Sequence, residues 1–137
     1  VKICNDQKLN VIEGDILNIP YESNYFDYTM CIAVLHHLST ECKRKLAINE
    51  LIRITKPGGK ILILVWALEQ EPDSRRKFIE QENYVDWRNK SKRLLGKRYY
   101  YVFKKGELEN LVLNKKSVKL VRRFYERGNH GVILEKV

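Results

Sequence analysis

The sequence is poor in cysteine, proline and long apolar runs, and each shortage excludes a class of protein. Its three cysteines, Cys4, Cys31 and Cys42, form no Cys-x-x-Cys pair and have no histidine at ligand spacing. This argues against a disulfide framework and against a zinc or other metal site. No apolar run reaches the roughly 18 residues of a membrane span, and no signal-peptide pattern opens the chain. We therefore expect a protein of a reducing compartment, cytoplasmic or also nuclear, with no membrane partner.

The length bounds the number of domains. The chain has 137 residues, of which 44% are hydrophobic and 31% charged. At this size one globular core can bury roughly two-thirds of the surface that the unfolded chain exposes. We predict that residues 1–137 form a single domain, apparently truncated at its amino terminus, with residues 67–103 as a basic insertion or lid.

Positive charge is concentrated in the second half of the chain. Residues 1–66 hold eight basic and seven acidic side chains, although the net charge of the whole chain is +9. Between Arg88 and Lys105 there are eight basic residues and no acidic one, interleaved with aromatic rings. Such a segment can meet phosphates with its cations and bases with its rings. The alternative is a solvated cationic loop.

The first half of the chain has the pattern of a strand–helix–strand unit. Leu9–Glu13 is a short β-rich run that ends at a Gly-Asp turn, and Asp27–Val34 has the content of a buried strand. Ser39 or Thr40 can cap a helix whose apolar residues recur up to Ile54, before Pro57-Gly58-Gly59 ends it. Lys60–Trp66 follows as a buried strand. The pattern predicts a right-handed βαβ crossover in a parallel sheet.

The second half is more polar and less periodic. The segment from Ala67 to Gly96 indicates an insertion or lid with one short helix near Ser74–Gln81. A further helix is predicted up to Leu113. Ser117–Glu126 and Gly131–Lys136 then have the pattern of an antiparallel strand pair.

Several segments together resemble a known family of enzymes. Gly14–Tyr21, Phe26-Asp27, Ile32–Thr40 and Lys56–Gly59 look like the second half of a class I S-adenosylmethionine-dependent methyltransferase. Three further segments narrow the resemblance to the enzymes that methyl-esterify 5-carboxymethyluridine at the wobble position of tRNA. They are Val65–Gln70, Arg98–Phe103 and Tyr125–Asn129.

The resemblance implies a fold, a cofactor and a partner. The expected fold is α/β and partially Rossmann-like, a mostly parallel sheet with a carboxyl-terminal antiparallel strand pair and with Leu9–Glu13 at one edge. The cofactor would be S-adenosylmethionine, with S-adenosylhomocysteine as product, and the partner would be tRNA. The family's Gly-rich loop and ribose-binding acidic residue have no counterpart in this sequence. Gly58-Gly59 lies between a helix and a strand, which is the wrong context for that loop.

The family's cofactor residues carry over to four positions. Ligands of such folds bind at the carboxyl ends of the parallel strands. There Asp15 would accept a hydrogen bond from the adenine amino group, and the backbone N–H of Ile16 would meet a ring nitrogen. Ala33 and Val34 would line the same site. The alternative for Asp15 is a turn residue that caps its own backbone.

The acceptor chemistry points to a second set of residues. A carboxylate has a pKa near 4 and is already ionised at neutral pH, so its alkylation needs alignment rather than a general base. We expect His36 to face the substrate and Arg98 to hold a carboxylate or phosphate. His37 is assigned to substrate binding, with a packed, hydrogen-bonded residue as its alternative.

Five further residues are candidates for substrate binding. Trp66 would wall the site, with a core position as its alternative. Tyr99 and Tyr100 would stack on anticodon bases, with packing within the lid as their alternative. Arg127 and Asn129, at the tip of the predicted hairpin, match the family motif.

Three functions remain open on the sequence alone. The first is methyl ester formation on the wobble uridine of tRNA. The second is methylation of a small molecule of the quinone type, although a small apolar substrate gives no reason for the basic segment. The third is a truncated chain that is inert alone and retains RNA binding. The family also implies a small zinc-binding activator subunit, which could pair with the edge strand at residues 9–13.

Overall fold

The computed structural model describes residues 1–113 and 115–137. A four-stranded sheet with two covering helices forms the body, and a separate two-stranded ribbon projects from it. No helix in these ranges is long and apolar enough to cross a membrane. The elements in chain order are α1 (Lys2–Asp6), β1 (Phe26–Ile32), α2 (Glu41–Ile54), β2 (Thr55–Trp66), β3 (Glu82–Arg88), β4 (Leu94–Tyr101), α3 (Glu107–Leu113), β5 (Val118–Glu126) and β6 (Asn129–Lys136).

The sheet has the strand order β1-β2-β6-β5. β1 and β2 are parallel and are joined through α2, which confirms the predicted βαβ unit. β6 runs antiparallel to both β2 and β5, so the predicted carboxyl-terminal antiparallel pair is also confirmed. Because β6 lies between β2 and β5 and runs antiparallel to both, strand pairing in the sheet changes from parallel to antiparallel at β2.

Capping and periodicity explain α2 and β2. The Thr40 side chain accepts a hydrogen bond from the backbone N–H of Lys43 at 3.2 Å, which confirms the predicted helix start. The helix ends at Ile54 and continues directly into β2, so Pro57-Gly58-Gly59 lies within the strand. The apolar residues that α2 and β2 bury against each other form the core, among them Ile48, Leu51, Ile61, Ile63 and Val65.

The predicted strand at Leu9–Glu13 is wrong. These residues have no regular secondary structure, and Leu9 and Ile12 are exposed. β1 is the edge of the sheet, and no strand of the described residues lies beyond it to complete a ladder with this segment. A strand needs such a partner to satisfy its backbone groups, however β-rich its sequence is. The edge on which a zinc-binding subunit was expected to add a strand is therefore absent here.

The predicted helix at Ser74–Gln81 is also wrong. Its first residue bonds locally instead, because the Ser74 hydroxyl accepts a hydrogen bond from the Arg76 backbone N–H at 3.1 Å. Side chains that satisfy nearby backbone groups in this way compete with helix formation. The remainder of the predicted lid is the β3–β4 ribbon, which the sequence analysis did not predict.

The β5–β6 hairpin closes through Arg127 and Gly128, whose φ angles are +44° and +77°. Two residues with positive φ are typical of the type I′ turn that suits a twisted hairpin. The Gly128 carbonyl accepts hydrogen bonds from the Ala67 backbone N–H and from the Gln70 side chain, each at 2.9 Å. The hairpin tip is thereby attached to the segment that follows β2.

A pair of glycine substitutions separates backbone strain from contact at this tip. Gly58 and Gly128 share a φ of +77°, but an added Cβ meets nothing at Gly58 and lies 2.3 Å from the Gln70 Oε1 atom at Gly128. We expect Gly58→Ala to lower the free energy of unfolding by about 1 kcal/mol and Gly128→Ala by about 2–3 kcal/mol. Denaturant unfolding of both variants measures the difference. Equal losses would mean that Gln70 moves aside freely.

Candidate active site

The candidate site begins where β1 ends, at a residue with unusual backbone geometry. Ala33 has a φ of +59°, in the left-handed region that costs an alanine about 1 kcal/mol or more. Its N–H still donates to the Leu64 carbonyl at 3.0 Å, so it remains attached to β2. A single 3₁₀ turn, Leu35–His37, follows and directs successive side chains about 120° apart.

His36 points into the protein. It is 1% exposed, and its Nδ1 accepts a hydrogen bond from the Trp66 backbone N–H at 3.1 Å. Burial, together with the nearby charges of His37 and Arg76, lowers the pKa of His36 to about 3. The ring is therefore neutral and carries its proton on Nε2. The structure makes His36 the packed member of the pair, whereas the sequence analysis expects it to face the substrate.

His37 points outward and is exposed. Its Nδ1 lies 3.1 Å from the Tyr99 backbone carbonyl, and because a carbonyl only accepts, Nδ1 carries the proton. Nε2 is left for a ligand: it accepts a hydrogen bond when the ring is neutral and donates one when the ring is protonated. The structure thus exchanges the expected positions of the two histidines.

Aromatic rings surround the histidine pair. The Trp66 and Tyr100 rings stack with centroids 4.3 Å apart and an interplanar angle of 6°. The Tyr100 centroid lies 4.4 Å from that of His37, and His36 contacts both stacked rings. The Arg76 guanidinium lies 4.6 Å from the Trp66 ring centroid. We call His36, His37, Trp66, Tyr100 and Arg76 the ring cluster.

Both residues that were predicted to stack on bases make contacts within the protein instead. Tyr100 is 8% exposed and stacks on Trp66, so its ring is not free to receive a base. The Tyr99 hydroxyl donates to the Glu82 carboxylate at 2.9 Å, which fastens β4 to β3. Burial and this carboxylate both raise the pKa of Tyr99. Tyr99 thus packs within the ribbon, and Tyr100 packs between the ribbon and the body of the protein.

Arg98 is directed along the ribbon rather than toward the histidines. Its guanidinium lies 4.2 Å from the centroid of Trp87, a half-exposed ring that the sequence analysis missed. Trp87 pairs with Gly96, on the side of Arg98 away from Tyr100. Alternation along β4 places Arg98 and Tyr100 on one face of the ribbon. That face leads from the ring cluster to the Arg98–Trp87 pair.

The predicted cofactor residues lie in two loops that pack against one core. Asp15 Oδ1 accepts a hydrogen bond from the Leu17 N–H at 2.9 Å, which is the turn-capping alternative. In the described residues, neither the Ile16 N–H nor the second Asp15 oxygen has a hydrogen-bond partner. Ile16 and Val34 both pack against the hydrophobic core, and Ala33 is exposed. A donor and an acceptor on adjacent residues are therefore available to a ligand.

Asn129 and Arg127 belong to the hairpin tip. The Asn129 side-chain amide donates to the carbonyls of Glu126 and Arg127, at 3.0 and 3.2 Å, and so fixes its own turn. The Arg127 carbonyl also accepts a hydrogen bond from the Arg76 guanidinium at 3.2 Å. The tip thus supports a member of the ring cluster through its backbone.

Sequence analysis also missed Arg76 and the pair formed by Glu69 and His130. Arg76 follows Arg75 in a segment without periodicity, so the sequence did not indicate which of the two arginines reaches the site. The His130 Nε2 atom lies 2.8 Å from the Glu69 carboxylate. Burial opposes ionisation of Glu69, but hydrogen bonds from the Lys105 backbone and from His130 outweigh it and lower the pKa of this carboxyl. Both residues line a cavity of about 560 Å³ that includes none of the predicted site residues.

Comparison with known sequences gives consistent relatives. A family model described as a methyltransferase domain matches residues 2–63. The tRNA (carboxymethyluridine(34)-5-O)-methyltransferase of Schizosaccharomyces pombe is 40% identical over 157 residues, which cover 99% of this chain and 68% of that protein. The protein of that name from Arabidopsis thaliana is 54% identical over 74 residues, or 54% of this chain and 18% of that protein.

Comparison with solved structures supports the fold. An S-adenosylmethionine-dependent methyltransferase from Clostridium acetobutylicum matches with a TM-score of 0.69 at 10% identity, over 98% of this chain and 68% of that one. Another, from Aquifex aeolicus, has a TM-score of 0.64 at 20% identity and covers 99% and 61%. At these identities the likeness concerns the fold alone. The predicted partial Rossmann-like methyltransferase fold is confirmed.

Proposed function

Because this chain belongs to the tRNA (carboxymethyluridine(34)-5-O)-methyltransferase family, we propose that it serves methyl ester formation on the carboxylate of 5-carboxymethyluridine in tRNA. The observation that carries the proposal is the ring cluster at the end of β1, beside the parallel strand pair. It combines an exposed imidazole, a stacked aromatic wall and a permanent cation. Each suits a flat, anionic acceptor base.

The proposed reaction needs positioning more than proton transfer. The acceptor carboxylate is ionised at neutral pH and attacks without a general base. The protonated ring of His37 would donate to it through Nε2, while the Tyr99 carbonyl fixes the ring at Nδ1. The partly exposed Trp66 would wall the uracil ring, with Tyr100 stacked behind it. His36 stays neutral and fixes Trp66 through the backbone, so it acts on the site without entering the reaction.

S-adenosylmethionine is the cofactor that this reaction requires, and it would supply the electrophilic methyl group. The Asp15–Ile16 turn fits the adenine edge, since it offers one free carboxylate oxygen to the amino group and one free N–H to a ring nitrogen. Ala33 and Val34 would line the same site. The sequence has no Gly-x-Gly-x-x-Gly loop for the rest of the cofactor.

The β3–β4 ribbon is the proposed tRNA contact, and residues 67–103 the proposed lid. The tip of the ribbon is the turn at Asn89–Arg93, where Lys90, Lys92 and Arg93 are all exposed. Half-exposed Trp87 with Arg98 beside it offers a base a ring and a phosphate a charge. Trp87 therefore takes the stacking role that the sequence analysis gave to Tyr99 and Tyr100.

The activator subunit and the cellular location are two further parts of the proposal. A small zinc-binding activator could cover the exposed Leu9 and Ile12 side chains, although this segment offers it no strand. A cytoplasmic location, or also a nuclear one, suits a protein that acts on tRNA.

Methyl transfer to defined tRNAs tests the proposed function. We expect the complete protein, given S-adenosylmethionine, to convert carboxymethyluridine at position 34 into a base-labile methyl ester and to leave unmodified uridine unchanged. Nucleoside mass spectrometry before and after mild alkali measures this product. Transfer to a quinone-type small molecule, with no transfer to tRNA, would contradict the proposal.

The ribbon provides the matched arm of this experiment. Replacing Lys90, Lys92 and Arg93 with glutamine should raise the KM for tRNA and flatten the salt dependence of binding, because three phosphate contacts are lost. The same change at Lys2, Lys8 and Lys56, outside the ribbon, is the control. Equal effects of the two triple variants would argue against the ribbon as the tRNA surface.

A further inference from the structure

Arg76 is the half-buried cation of the ring cluster. In the described residues no carboxylate lies within ion-pair distance of it, whereas Arg53 pairs with Glu50 and Arg88 with Asp86. We propose that Arg76 pairs with the carboxylate of the acceptor base beside His37 and so selects carboxymethyluridine over uridine. This assignment rests on the proposed function and adds the group that determines its substrate specificity.

Three contacts hold Arg76 in place. Its guanidinium lies 4.6 Å from the Trp66 centroid, one nitrogen donates to the Arg127 carbonyl at 3.2 Å, and its backbone N–H donates to the Ser74 hydroxyl at 3.1 Å. The hydrogen bond to the Arg127 carbonyl uses one of the five guanidinium N–H donors. The others can form the paired bonds that arginine makes with a carboxylate.

The charge of Arg76 acts on His36. It is one of the causes that lower the pKa of His36, so its field reaches the pair on which the acceptor is proposed to bind. A half-buried guanidinium attracts a carboxylate more strongly than an exposed one, because water screens the pair less.

The other arginines near the ribbon are committed elsewhere. Arg98 lies on Trp87. Arg44 is 4% exposed, donates to the Leu38 carbonyl at 2.8 Å and lies 3.7 Å from the Tyr101 centroid, so it is enclosed between α2 and β4. Arg76 is left as the arginine that combines partial exposure with a position on the ring cluster.

The chemistry of the product strengthens the assignment. Methyl transfer breaks the sulfonium S–C bond and forms a carboxylate O–C bond, with no proton released. The acceptor changes from an anion to a neutral ester. A site that binds through the negative charge therefore holds the substrate and releases the product.

Binding to three forms of one tRNA tests the role of Arg76. The probes carry carboxymethyluridine, its methyl ester or uridine at position 34. We expect the complete protein to bind the carboxymethyl form about tenfold more tightly than the others, and R76Q to bind all three alike. R75Q, at the exposed neighbour, should behave as the wild type. R76K, which keeps the charge but not the paired donors, should retain part of the preference.

The outcomes separate the inference from the proposed function. If the wild type prefers the carboxymethyl form and R76Q keeps that preference, the assignment of Arg76 is wrong. If R76Q lowers affinity equally for all three tRNAs, its role is structural and the assignment also fails. A wild type that neither methylates nor prefers carboxymethyluridine would overturn the proposed function itself. Should R76Q be poorly folded, R76K decides: an unreduced preference would exclude paired binding.

Discussion

Replacing His37 with alanine is expected to lower kcat/KM for methyl ester formation by about 10²–10³-fold, the usual effect of removing one positioned hydrogen-bonding group. The imidazole is exposed, and while Nδ1 donates to the Tyr99 carbonyl, Nε2 of the protonated ring can donate to the acceptor carboxylate. The free energy of unfolding should fall by about 1 kcal/mol or less, because an exposed side chain with one hydrogen bond is lost. Steady-state kinetics on carboxymethyluridine tRNA, with denaturant unfolding in parallel, measures both effects.

His37→Asn is the matched control for this prediction. An asparagine amide can still donate to the Tyr99 carbonyl, so it keeps the contact with β4 but provides nothing at the position of Nε2. We expect His37→Asn to be about as inactive as His37→Ala while unfolding like the wild type. Activity restored by asparagine would mean that His37 only anchors the ribbon, and the acceptor would then have to be held by other groups.

The parts of the fold that the sequence predicted correctly are encoded locally. Thr40 caps α2 in the predicted way, and the α2–β2 unit follows from apolar periodicity over about 25 residues. The β5–β6 hairpin follows from strand pattern and a Gly-containing turn. Leu9–Glu13 has an equally good strand pattern, but whether it pairs depends on a neighbour that periodicity does not reveal. The ribbon could not be predicted from periodicity, because polar, aromatic and aliphatic side chains occur on both of its faces.

The sequence indicated some members of the site but not their arrangement. It indicated His36, His37 and Trp66, which the structure brings together, but it indicated Arg98 where the structure places Arg76. Which histidine faces outward depends on the left-handed Ala33 and the 3₁₀ turn after it. A shift of one residue along such a turn changes the direction of a side chain by about 120°. Likewise, Arg76 reaches Trp66 only because the hairpin tip offers a carbonyl from the far end of the chain.

The second large effect is expected on stability, at His36. His36→Ala should lower the free energy of unfolding by about 2–4 kcal/mol, because it removes a buried ring that packs against both Trp66 and Tyr100 and leaves the Trp66 N–H without its acceptor. His36→Asn should lose less, since its amide oxygen can accept that N–H where Nδ1 did. Denaturant unfolding at neutral pH compares the variants. Equal losses for alanine and asparagine would show that ring packing, and not the hydrogen bond, is what His36 supplies.

The same residue predicts a pH dependence of stability. The pKa of His36 is lowered from its usual 6.5 to about 3, so between these values the unfolded chain holds a proton that the folded protein excludes. The contribution of His36 to the free energy of unfolding is therefore fully present above pH 6.5. It falls as the pH drops below this value, by up to about 1.4 kcal/mol per pH unit. Between pH 6.5 and 5 most carboxylates remain ionised, which isolates the histidines. His36→Asn lacks this proton and keeps His37 and His130, so its stability should vary less with pH in that interval. If the asparagine variant keeps the slope of the wild type, the acid sensitivity belongs to the other histidines and His36 is not held neutral by its surroundings.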